Sequence, residues 1–394
     1  MKIQVRRSRT VIQSLGSARF ALTAMVLTAC VDRGPTAPLA HAAVDASPSV
    51  APPSTNTAAL SNRLAYLWAQ TASPPLNTPY APNKQRTFNG LGLANSVTRF
   101  ATGAYRVALG GMAKGATGKE IVVVTTYAQT KVRCTLDGWR DNGANLDVTV
   151  FCVDGGGASA DARFSLLMVG ANSLPGRLGF ALTNDSIPNF GPYTPDPHFS
   201  WNATGNPITA FNGGILGGYT VDLGLPRLPA SGHETFIATA TSIDAQCRVD
   251  PWNWANGQVD VECFDHAGAQ APRNFAILQV EQGRPGMRFG FTVGNQPSSP
   301  TPYAPDTSLT STTGGPITIT RTQKGVYTVD FEGLQKPVGT RTENVQVSAF
   351  GTGYSCEVPA WPTTPSGTGL RVWVVCRNGS GAVADSPFTV LVLE

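Results

Sequence analysis

The sequence predicts an all-β protein built as three tandem two-sheet β-sandwich domains, each with one local disulfide. Three observations carry this. One set of residues recurs three times in a fixed order, at a period of roughly 110 residues, which marks domain-sized repeats. Apolar residues alternate with polar ones over short runs, the signature of strands with one buried face. Charged residues make up only 14% of the chain while Gly (42) and Pro (30) abound, so turns are frequent and long helical faces are not.

From the N-terminus, Lys2, Arg6, Arg7, Arg9 and Arg19 precede and flank an apolar stretch from Phe20 to Ala29 that ends at Cys30. Such a stretch is too short to cross a bilayer core of about 30 Å and reads as a secretory signal. Its end, Leu27-Thr28-Ala29-Cys30, resembles the bacterial lipobox. That resemblance implies cleavage before Cys30, lipidation of its thiol, export, and anchoring of the folded part to the cell envelope. With Val31 following the cysteine, the destination in a Gram-negative cell is the outer membrane. The leader holds five of the 29 basic side chains and no acid, leaving 24 basic against 25 acidic residues. The formal charge of +4 therefore belongs to the leader, and no basic face remains for nucleic acid.

The expected layout is a signal peptide over 1–29 and a tether over 30–60, rich in Pro, Ala, Ser and Thr and expected to be disordered. Three β-domains follow at 61–172, 173–283 and 284–394. Pro-Tyr-x-Pro occurs at Pro79–Pro82, Pro192–Pro195 and Pro302–Pro305, and Gly-x-Tyr-x-Val at Gly103–Val107, Gly217–Val221 and Gly325–Val329. A Cys followed five positions later by Trp comes next (Cys134/Trp139, Cys247/Trp252, Cys356/Trp361). A second Cys then precedes Phe by twelve (Cys152/Phe164, Cys263/Phe275, Cys376/Phe388). Seven cysteines is an odd number for an exported chain, but assigning Cys30 to lipid leaves three close pairs. Disulfides Cys134–Cys152, Cys247–Cys263 and Cys356–Cys376 follow from an oxidising compartment.

In the first copy, alternation predicts seven strands over 64–69, 95–100, 104–109, 120–127, 131–136, 146–153 and 163–169. The sandwich is immunoglobulin-like or jelly-roll-like, but cysteines so close in sequence close a local loop rather than an immunoglobulin inter-sheet bond. The Gly-x-Tyr-x-Val strand and Ile319-Thr320-Arg321-Thr322 resemble the jelly-roll heads of the complement C1q type, which implies a pseudo-trimer. The short connections at 170–177 and 281–287, with Gly176 and Gly286 as hinges, predict touching neighbours. Of the two arrangements, stacking in a line is the one expected.

Motifs for chemistry are sparse. Neither a nucleophile elbow nor a helical zinc motif is present, and the paired cysteines lack metal-ligand spacing, so no metal, no cofactor and no enzyme is expected. His198, His233 and His266 lie in copy-two loops, and Asp260 with Glu262 share the outer face of one strand. The loops that carry these histidines and the extra copy-two tryptophans are the seat of the alternative reading, an extracellular polymer hydrolase, whereas the carboxylate pair reads as a solvated outer strand face. The repeated Tyr80, Tyr193, Tyr303 and Trp139, Trp252, Trp361 read as core plugs. Unrepeated copy-two aromatics, Phe199, Trp201 and Trp254, with Tyr193, are the candidate ligand-binding residues, since flat rings on stiff loops suit sugars and peptides. The function expected is a non-catalytic envelope lipoprotein, adhesive or binding a glycan or surface protein. A purely structural spacer is the remaining alternative.

Overall fold

A computed structural model describes residues 62–115, 118–127, 131–174, 176–184, 191–212, 216–226, 233–250, 257–281, 288–334, 343–351 and 354–394. The signal peptide, Cys30 and almost all of the tether lie outside them. The described residues fall within one compact unit.

Among the described residues each copy forms eight strands. Copy one has β1 Leu64–Ala69, β2 Thr87–Asn89, β3 Asn95–Ala101, β4 Ala104–Leu109, β5 Glu120–Tyr127, β6 Arg133–Asn142, β7 Asn145–Val153 and β8 Arg163–Gly170. Copy two has β9 Leu178–Thr183, β10 Trp201–Asn202, β11 Thr209–Asn212, β12 Gly218–Asp222, β13 Glu234–Ala240, β14 Ala245–Val249, β15 Gln258–Asp265 and β16 Phe275–Glu281. Copy three has β17 Phe289–Gly294, β18 Ser311–Thr312, β19 Ile317–Gln323, β20 Val326–Phe331, β21 Asn344–Ala349, β22 Ser355–Ala360, β23 Leu370–Arg377 and β24 Phe388–Leu393. The seven-strand expectation misses β2, β10 and β18, which are two or three residues long and too short to show a period.

One sheet of copy one runs β2-β1-β8-β5 and the other β3-β4-β7-β6, and copies two and three repeat both orders. All these pairings are antiparallel. The fold class is therefore as predicted, three two-sheet sandwiches. Cys134 faces Cys152 across β6 and β7, Cys247 faces Cys263 across β14 and β15, and Cys356 faces Cys376 across β22 and β23. All three are disulfides with Cα atoms 4.0 to 4.1 Å apart, the close spacing of a directly opposed antiparallel pair. Each staple sits within one sheet.

The recurring residues have shared structural jobs. The tyrosine of Gly-x-Tyr-x-Val packs on the phenylalanine that opens the last strand: Tyr105–Phe164 at 5.3 Å, Tyr219–Phe275 at 5.1 Å, Tyr327–Phe388 at 4.9 Å. Gly103 has φ +66°, and a Cβ there would stand 2.4 Å from the Cys152 carbonyl oxygen, so only glycine fits. The Pro-Tyr-x-Pro tyrosines bridge by backbone to the outer strand of the second sheet or its counterpart: Tyr80 to Val97, Tyr193 to Ala210, Tyr303 to Ile319.

The linear arrangement is not what the chain adopts. Copies one, two and three all touch one another around β5, β13 and β21, and the contact is a closed cycle of hydroxyls. Thr239 Oγ1 accepts the Val124 N–H at 3.2 Å, and Ser348 Oγ accepts the Ala238 N–H at 2.9 Å. Thr125 Oγ1 accepts the Val347 N–H at 3.0 Å. Copy two thus grips copy one, copy three grips copy two, and copy one grips copy three. The strands on this axis bury both faces (all eight residues of β5 are buried), so a line with free ends would leave two such faces wet. Short connections permit either arrangement, and the doubly buried strands decide for the pseudo-trimer.

Candidate functional site

Three seams separate the copies, and the two that flank copy one are dressed differently. Trp139 sits in one of these two and Trp361 in the other. A β-bulge between Leu136 and Gly138 precedes Trp139, and one between Glu357 and Ala360 precedes Trp361; a bulge bends its strand and re-aims the side chain that follows. Both rings are buried in the core cluster of their own sandwich, as expected of core plugs, and each also packs on a ring of the neighbouring copy. Trp252 and Trp254 lie outside the described residues.

In the seam between copies three and one, Trp361 meets Tyr127 at 4.8 Å, near-perpendicular, and Trp68 at 6.0 Å. Trp68 and Tyr127 also touch each other at 4.9 Å. Arg86 lies 4.6 Å over Trp361, and Arg163 lies 4.9 Å over Tyr127. Three rings in mutual contact occupy this seam, with cations capping the aromatic faces.

Between copies one and two, the corresponding places hold smaller groups. Register sets the correspondence: Ala69 faces Phe164 as Thr183 faces Phe275, so Leu182 stands where Trp68 does. Tyr127 faces Arg163, and Thr241 bonds Asn274 at the same step beyond Phe275, so Thr241 and Asn274 replace Tyr127 and Arg163. Trp139 meets Phe199 edge-on at 5.4 Å, and the Lys114 ammonium lies 3.5 Å from the Phe199 ring centre. What remains is a hollow of about 180 Å³ lined by Asp137, Gly138, Trp139, Leu182, Thr183, Asn184, Phe199, Thr241 and Asn274. Trp139 Nε1 and Asn274 Oδ1 face neither solvent nor a hydrogen-bond partner among the described residues.

Of the aromatic candidates read from the sequence, Phe199 lines this hollow. Trp201 instead lies in β10, 6.0 Å from Phe180, and Tyr193 packs against the copy-two core. Asp137, Leu182, Thr241 and Asn274 were not singled out in the sequence. Their signal was there, in an alignment of the copies at positions where bulk is lost.

Two other concavities contain polar groups. An axial cavity of about 70 Å³ is bordered by a cysteine from each disulfide, with Arg133 donating to Gln246 Oε1 at 3.0 Å and Arg377 gripping Glu357. On copy two, Asp250, Asp260, Glu262 and Thr220 border a hollow of about 170 Å³. Burial, then the Glu262 charge, pushes the Asp250 carboxyl from 3.8 up to about 6. Arg248 holds Glu262, and Asp260 accepts from the Thr220 hydroxyl at 2.5 Å. The three copy-two histidines do not form a site: His198 is exposed on its own cap Asp196, at 3.0 Å, and His266 is exposed on a turn. No group of three His, Cys, Asp or Glu side chains among the described residues is placed to hold a metal.

No family model, curated protein or solved structure matches this chain. Among the described residues no helix is long and apolar enough to cross a membrane. The three disulfides are those of an oxidising compartment.

Proposed function

We propose that this chain is a non-catalytic lipoprotein of the bacterial envelope that binds a ligand through its folded body. One observation carries the binding part: the seam between copies one and two is left hollow where the seam between copies three and one is filled. Packed interiors seldom leave room for several waters, and a hollow with convergent polar groups and an aromatic wall is where ligands bind. The lipobox sequence, the Pro-rich tether and the stapled sandwiches support the address.

Two measurements test this. Mass spectrometry of the purified chain should find a diacylglyceryl modification on Cys30 that Cys30→Ser abolishes; an unmodified Cys30 overturns the anchor. Glycan and peptide arrays probed with the chain should show binding that Leu182→Trp weakens at least tenfold. Binding to neither array removes the adhesive reading.

Copy two offers one observation for a hydrolase. Burial and the Glu262 charge raise the Asp250 carboxyl to about 6 beside the Arg-held Glu262, a pairing of carboxyl groups with separated affinities for a proton that suits general acid–base work. Loss of an envelope-polymer cleavage on Asp250→Asn is the result that favours this second reading.

A further inference from the structure

The chain contains its own template for what fills the open seam. In the seam between copies three and one, the space beside the bulge tryptophan is occupied by two aromatic side chains, Trp68 and Tyr127, and Tyr127 stands perpendicular to Trp361 at 4.8 Å. In the seam between copies one and two the tryptophan is present, and a ring, Phe199, stands at the place of Arg86. The two aromatic side chains of the neighbouring strands are gone, replaced by Leu182 and Thr241. The volume they vacate is the hollow.

We infer that this hollow receives a planar aromatic ring bearing a hydrogen-bonding group, a phenol or an indole, in the place that Tyr127 and Trp68 fill in the other seam. This deepens the binding reading above and rests on it.

Chemistry at the walls agrees. The edge-to-face geometry that Trp361 offers Tyr127 is favourable because the positive edge of one ring meets the negative face of another. Trp139 lies at the wall of the hollow with an indole N–H that meets no partner among the described residues, a trait it shares with Trp361 and Trp68 of the other seam, and Asn274 contributes an unpartnered carbonyl oxygen found at this seam alone of the two. Both atoms are closed to water, so a small turn of the Trp139 ring or the Asn274 amide must open them before a phenol hydroxyl can accept from the first or donate to the second, or an indole N–H donate to the second. A carboxylate has no proton to give Asn274 and would meet Asp137 at the rim. An ammonium has no lone pair to offer Trp139. Lys114 holds Phe199 from outside the hollow, so the wall is set before a ligand arrives.

The test uses the full chain, titrated with p-cresol, 3-methylindole and methyl β-glucoside by saturation-transfer NMR and calorimetry. The expected result is binding of the two aromatics at about 1 mM, the range open to a ligand of so few atoms. Leu182→Trp with Thr241→Tyr rebuilds the filled seam, and this double variant should lose aromatic binding at least tenfold while melting no lower than the parent. Should the pair fail to fold, Thr241→Tyr alone is the smaller plug. A Gly-Tyr-Gly peptide distinguishes the sources: tighter binding than p-cresol points to a protein segment, and weaker binding points to a free aromatic compound. No aromatic binding to the parent, equal binding to the plugged variant, or binding of the glucoside alone overturns the inference. The array experiment is decided separately, since binding there that survives the plug leaves the chain a binding protein with its site elsewhere.

Discussion

At the scale of single residues, Asp250 gives the clearest pH signature. Its carboxyl is held from 3.8 up to about 6 by burial and by Glu262, so the folded chain keeps a proton that the unfolded chain gives up. A raised carboxylate pKa stabilises the fold relatively at low pH and costs stability as pH rises between about 4 and 6. Because the group is half-exposed, the expected cost is on the order of 1 kcal/mol after allowance for screening. Urea unfolding at pH 4.5 and pH 7 should therefore differ less for Asp250→Asn than for the parent, and an unchanged difference refutes the assignment. Little of this was legible in the sequence. Asp260 and Glu262 could be placed on one strand face from alternation. Asp250 lies at the end of β14, and only the pairing of β14 with β15 brings it beside them.

Among the elements, the cross-strand disulfides are the features the sequence exposed best. A pair of cysteines separated by 16 to 20 residues with one hairpin between them can hardly pair otherwise, and all three do so. Closing loops this short restricts the unfolded chain by about 3 kcal/mol each in the chain-entropy account. Replacing Cys247 and Cys263 together by Ala should lower the denaturation midpoint by an amount of that order. A change under about 0.5 kcal/mol would mean the hairpin is already rigid without its staple. Main strands came through because alternation marks them. The two- and three-residue edge strands did not, since a period needs several repeats to show. Trp139 and Trp361 were legible as buried, but not as seam residues, because the bulges that re-aim them leave no pattern in composition.

For the whole molecule, the sequence left two arrangements open and the shared axis decides between them. The hydroxyl cycle of Thr125, Thr239 and Ser348 couples each sandwich to both others, so no copy can open without breaking two contacts. Calorimetry should show one cooperative transition for the three copies. Three separable transitions, or a scattering profile with an elongated body, would contradict the closed ring. In Thr239→Val the Val124 N–H loses its acceptor in a buried place, at a cost of about 1–3 kcal/mol.

Carrying all three sandwiches on one polypeptide has a consequence for how the ring can change. In an assembly of three identical subunits, every substitution appears at three interfaces at once, and a cavity opened in one is opened in all. Here a codon change alters a single seam. Trp68 and Tyr127 can seal one junction while Leu182 and Thr241 leave the next ajar, and the sealed junction holds the ring together while the other varies. Asymmetry of this kind is closed to a ring of identical subunits and open to one whose three units are joined in a single chain.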